Sequence, residues 1–196
     1  MSSLHFYLMN LALADNFKRI QGAVVECGVW RGGMIAGLAQ LCGKDREYFL
    51  FDSFEGLPQA QPIDGDAMNR WQEDTGSPHY YDNCKTDEAY AKKAMSLSGA
   101  RDVRVVKGWF KDVLPHFPKD RTIAILRLDG DLYESTLECL NNLYSSVAKN
   151  GLIIIDDYYV WEGCSRAVHH FLAQRELTDK VRMYNDTVCY IVKEKI

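Results

Sequence analysis

Two apolar runs in this chain end in carboxylates: Thr122–Leu128 leads into Asp129-Gly130-Asp131, and Gly151–Ile155 into Asp156-Asp157. If the runs are neighbouring parallel strands, these side chains meet at one edge of a sheet. Like charges gathered there are costly unless a cation neutralises them. No His or Cys stands directly beside them, and an oxygen-only donor set favours magnesium or calcium over zinc. Such an ion could hold a hydroxyl, lower its pKa and orient its oxygen for attack. The plainer alternative is a set of solvated carboxylates at strand ends.

Three further groups belong to the same edge. Glu26-Cys27-Gly28-Val29-Trp30-Arg31-Gly32-Gly33 follows a short apolar strand, and its glycines let backbone approach a ligand closely. In a dinucleotide site this turn would cradle a pyrophosphate; Glu26 would repel one and instead favours a cationic ligand such as S-adenosylmethionine, with its sulfonium and ammonium. Asp52, followed by Ser53-Phe54-Glu55-Gly56-Leu57-Pro58, ends the next apolar strand, where an acidic residue binds ribose hydroxyls. It serves NAD and S-adenosylmethionine equally, or caps a turn. Gly108-Trp109-Phe110 follows a third strand and offers an aromatic face for adenine or for the core.

Hydrophobic periodicity supplies the elements that position these groups. Helices are predicted over residues 4–20, 33–41, 87–98, 134–147 and 162–174, with one short turn over 110–114. Strands are predicted over 23–27, 48–52, 103–106, 122–128, 151–155, 181–184 and 187–192. Their alternation implies βαβ units with helices on both faces of the sheet. The last two strands, joined by Asn185-Asp186, are too close for a parallel crossover. The expectation is a single α/β domain over residues 1–196, with an N-terminal helix within 1–20 and a seven-stranded, mostly parallel sheet with one antiparallel strand. Residues 57–85, rich in Pro, Gly and aromatics, read as a lid or acceptor loop.

Composition narrows the function classes. The chain has 196 residues and a formal net charge of -4, with no long basic run, which argues against nucleic acid. No apolar stretch reaches the ~20 residues of a membrane helix. The N-terminus lacks the features of a secretory signal, and the six cysteines contain no Cys-x-x-Cys pair, so a cytoplasmic protein with reduced thiols is expected.

The segments Val25–Gly33, Phe51–Pro58, Leu128–Thr136 and Gly151–Tyr158 run in the order found in the TylF/MycF family of macrolide-sugar O-methyltransferases, and the chain resembles that family from about residue 20 onward. The resemblance implies a class I methyltransferase Rossmann-like fold, S-adenosylmethionine as donor, bound Mg2+, a small-molecule hydroxyl acceptor and a homo-oligomer. It implies Asp129, Asp156 and Asp157 as metal ligands, with Asp129 also the candidate catalytic proton acceptor. It places Glu26, Gly28, Trp30, Asp52, Ser53, Gly108, Trp109 and Phe110 at the cofactor. Met34 departs from the small hydroxyl residue expected after the paired glycines, and the stretch before the first strand is shorter than in the antibiotic enzymes. Both departures concern a cofactor hydrogen bond and the acceptor, not the metal. The competing readings are a domain that keeps the cofactor pocket without turnover, and a NAD(P)-dependent oxidoreductase, for which the aspartates would have no purpose.

Overall fold

The structure, a computed structural model, describes residues 3–194. Seven strands, β1 (Ala23–Cys27), β2 (Glu47–Asp52), β3 (Asp102–Lys107), β4 (Ile123–Leu128), β5 (Val147–Ile155), β6 (Val181–Tyr184) and β7 (Val188–Val192), form one sheet in the order β3-β2-β1-β4-β5-β7-β6. Pairing is parallel from β3 to β5, and β7 alone runs antiparallel to its neighbours. Asn185, Asp186 and Thr187 join β6 to β7; Asn185 and Asp186 both have positive φ, and Thr187 N closes the turn onto Tyr184 O, the twist that suits a tight hairpin.

Alternate residues of the central strands feed two cores. Val25, Cys27, Phe49, Phe51, Leu126, Ile153 and Ile155 face one side, under α5 (Phe110–Val113), α6 (Tyr133–Leu143) and α7 (Glu162–Gln174). Val24, Tyr48, Leu50, Ile125, Leu152 and Ile154 face the other, under α1 (Leu4–Asp15), α2 (Gly33–Cys42) and α4 (Glu88–Ser98). Burial on both faces is why these strands lack alternation in the sequence.

Three expectations need correction. α1 stops at Asp15 rather than Ile20, because the Asn16 side chain turns back onto the carbonyls of Ala12 and Leu13. β5 begins at Val147, where a helix was expected to end, and its polar stretch Lys149-Asn150 is exposed. Residues 57–85 are not simply a loop: they contain α3 (Asp66–Glu73). The Gln72 side chain ties α3 down, donating to Pro58 O and accepting from Ala60 N. Met68 sinks fully into a satellite core with Ala60 and Leu132. The segment ends in an unusual turn: Tyr81, Asp82, Asn83 and Cys84 all have left-handed φ, held by Asn83, whose amide donates to Leu57 O and whose carbonyl accepts from Leu57 N.

No helix among the described residues is long and apolar enough to cross a membrane.

Candidate active site

The order of strands reverses between β1 and β4, which is where ligands bind in sheets of this kind. Backbone hydrogen bonds continue just past the strand ends: Gly28 N donates to Phe51 O, Asp129 N to Cys27 O, Asp156 N to Leu128 O, and Gly108 N to Asp52 O. The tips are thereby aligned, and the residues after them share one edge. At Gly28 the approach is so close that a Cβ would lie 1.7 Å from Asp129 O.

A cavity of about 200 Å³ opens over these tips. Gly28, Ser53, Gly108, Trp109, Phe110 and Asp129, all expected at the site, line it, and Leu57 and Pro58 form part of its wall. Glu134 and Glu138 of α6, with Lys111 of α5, complete it; their positions in amphipathic stretches gave no signal in the sequence. Glu26, Trp30 and Asp52 do not line this cavity. Asp52 accepts from Trp30 N at 2.8 Å and from Phe54 N at 2.7 Å, so it shapes both flanking turns. Burial pushes its pKa up, opposed by those amides. The Trp30 ring has the Arg31 guanidinium 4.6 Å from its centre and the Tyr81 ring 6.3 Å away. It links the glycine turn to segment 57–85.

Asp129, Asp156 and Asp157 come together as their sequence positions suggested. One oxygen from each lies within 4.8 Å of the others. Ligands at ~2.1 Å from magnesium stand up to ~4.2 Å apart across the ion, so a modest side-chain adjustment would complete an all-oxygen site. Burial raises the Asp157 carboxyl well above its ordinary value, reinforced by Asp131, Asp129 and Asp156. Asp156 is raised in the same direction, first by burial. Asp131, raised to about 7 by burial and by Asp129, accepts from Trp161 Nε1 at 2.8 Å, and its amide donates to Asp157 Oδ2 at 3.0 Å. Surplus negative charge in a low-dielectric site is relieved by a divalent cation.

One partner was not foreseen. Arg127, 2% exposed, already supplies a cation to this cluster. Its Nη1 donates to Glu26 Oε1 at 2.5 Å and to Asp129 Oδ2 at 2.8 Å, and its Nη2 donates to Asp156 Oδ1. The gathered carboxylates are therefore not balanced by a metal alone. Glu26 is in register with Arg127 across the β1–β4 ladder, which places opposite charges side by side. Glu26 is 1% exposed. Burial lifts its pKa to about 7 against the pull of Arg127, and its Oε2 makes no hydrogen bond. The available signal was a single arginine inside the otherwise apolar β4, since buried charges are rarely left unpaired.

Segment 57–85 is fastened beside the cluster. Asp64, buried, accepts from Tyr133 N at the start of α6 and from Gln61 N. Trp71 packs against Trp161 with ring centroids 6.2 Å apart. Gly163 permits this docking, because a Cβ there would lie 2.5 Å from Asp64 Oδ1.

Known proteins share the sequence and fold that carry this geometry. A demethyldecarbamoylnovobiocin O-methyltransferase of Streptomyces niveus is 37% identical over 171 residues, covering 84% of this chain and 63% of that protein. An 8-demethyl-8-(2,3-dimethoxy-alpha-L-rhamnosyl)-tetracenomycin-C 4'-O-methyltransferase of Streptomyces olivaceus is 34% identical over 196 residues, covering 92% and 68%. The chain thus spans about two thirds of the length of these curated relatives. The solved structure of the O-methyltransferase NovP superposes with a TM-score of 0.79 at 29% identity, covering 96% of this chain and 81% of NovP; the fold is the class I methyltransferase Rossmann-like fold. The macrocin O-methyltransferase (TylF) profile matches residues 8–193, and the chain belongs to that family.

Proposed function

We propose that this protein is an S-adenosylmethionine- and magnesium-dependent O-methyltransferase acting on a hydroxyl of a small molecule, a sugar or another natural product. The observation that carries this reading is the convergence of Asp129, Asp156 and Asp157, of which Asp129 also lines the strand-tip cavity. Relatives named as O-methyltransferases, one of them a rhamnosyl 4'-O-methyltransferase, support the reaction and the acceptor class.

In this reading Trp109 and Phe110 give the cavity its apolar face for adenine. Ser53 and the turn braced by Asp52 border the ribose, and Gly28 leaves room for the donor's backbone-side approach. Glu26 contributes negative charge beneath a cationic donor. Asp129, Asp156 and Asp157 would hold magnesium, which supplies Lewis acidity toward an acceptor hydroxyl. Asp129 borders both the cavity and the metal set, which makes it the candidate to take the hydroxyl proton. Holding two reactants in fixed geometry contributes up to roughly 7–11 kcal/mol. Segment 57–85, with Trp71, Tyr80 and Tyr81, excludes water from the acceptor side.

The test is methyl transfer to a panel of hydroxylated acceptors, before and after chelation. Turnover should stop with chelator and return with magnesium, while S-adenosylhomocysteine binding persists. Turnover indifferent to chelation would remove the metal from the function.

A further inference from the structure

We infer that Arg127 is a positioning residue that couples the donor site to the metal site. The inference rests on the function proposed above. Arg127 touches neither ligand's space: it is buried inside β4 and does not line the cavity. Its guanidinium spans both. It holds one oxygen of Glu26, on the donor side, and one oxygen each of Asp129 and Asp156, on the metal side.

The arrangement assigns each carboxylate an inner and an outer oxygen. Glu26 Oε1, Asp129 Oδ2 and Asp156 Oδ1 are taken by the guanidinium. Glu26 Oε2 is left buried with no hydrogen-bond partner. The Ile35 amide at the start of α2 is the other group that favours the ionised Glu26 carboxylate, so the guanidinium is its one charged partner. The planar fork of arginine fixes several directions at once, which a lysine ammonium on a flexible stem does not. Because Nη1 is shared between Glu26 and Asp129, moving one carboxylate moves the hydrogen bond of the other. Partners of this kind around a metal ligand govern affinity without touching the ion.

Calorimetry on the intact chain tests this with two separate titrations: S-adenosylhomocysteine without metal, and Mn2+ without donor. Arg127→Lys keeps the charge and loses the fork. It should weaken both by about tenfold or more, within the range known for partners of metal ligands. Glu26→Gln should weaken the donor in the parent but add little in the Arg127→Lys background, a non-additivity that marks a shared network. If Arg127→Lys changes only melting temperature, or if the two losses add fully, the coupling is wrong. A second measurement leaves Arg127 intact, which matters if its variant fails to fold. Glu26→Gln should alter the electron paramagnetic resonance lines of bound Mn2+, although Glu26 is not among the proposed ligands. An unchanged spectrum overturns the inference. A parent protein that binds neither probe would instead strike the proposed function, and this inference with it. A parent that binds both, with Arg127→Lys affecting neither, strikes the inference alone.

Discussion

The strand tips and segment 57–85 border the same cavity but are built differently. The tips are fixed by continuous sheet hydrogen bonds, two large cores and a buried ionic hub. The segment is fixed by a satellite core of three buried residues, the Asp64 carboxylate and a few side-chain hydrogen bonds. In the proposed function, chemistry that needs sub-ångström placement sits on the first and the surface nearest the acceptor on the second. Local stability varies in this way within single domains, and lids come from the less stable end. The lesson is that two walls of one cavity can be held by interactions of very different extent, so that, under the proposed function, reaction chemistry and acceptor choice could change independently.

The contrast can be broken at its strongest point first. Asp157 does not touch Arg127, so Asp157→Asn is a cleaner probe of the metal set than a change at Asp156. It should lower methyl transfer by about a hundred- to a thousandfold with donor affinity nearly unchanged, checked by turnover and calorimetry. Parallel loss of both would mean that the cluster is structural. Gly28→Ala should cost about 3 kcal/mol or more in chemical denaturation, since the methyl meets backbone and the φ is left-handed; a neutral result would show that the tips are looser than described. Asp64→Ala leaves two amides without acceptors, at about 2 kcal/mol or more. Hydrogen exchange should quicken in residues 57–85 and at the start of α6 but not in β1, β4 or β5. Uniform quickening would erase the distinction between the regions.

The smallest effect is in pH dependence. In the ligand-free protein Glu26 binds its proton up to about pH 7, whereas an ordinary glutamate releases it near 4.5. The folded state therefore holds the proton more tightly, and stability declines as pH rises from about 5 through 7. Melting curves across that range should show this slope in the parent and a shallower one in Glu26→Gln. Identical slopes would mean that Glu26 stays ionised on its arginine.

The fold and the shared edge of the strand tips were largely legible because charged residues ending apolar runs mark strand tips, as at Asp52, Asp129 and Asp156. Arg127 was not legible because its pairing with Glu26 depends on the β1–β4 register and with Asp156 on the β4–β5 neighbourhood, neither of which a single strand's pattern encodes. α3 escaped because its two large apolar residues besides Ala67, Met68 and Trp71, are flanked by Gly and polar residues; tertiary anchoring at Gln72 and Met68, not periodicity, makes it a helix. The walls at Lys111, Glu134 and Glu138 depend on how α5 and α6 seat on the sheet, and no local pattern encodes that.

The run from Tyr81 to Cys84 carries one more consequence. Left-handed backbone costs an ordinary residue on the order of 1–2 kcal/mol, and glycine would adopt it freely. A tyrosine, an aspartate, an asparagine and a cysteine occupy it instead. Anyone redesigning this wall of the cavity can therefore trade rigidity against reach at these four positions: glycines would ease the bend, but would delete the ring that leans on Trp30 and the amide that clasps Leu57.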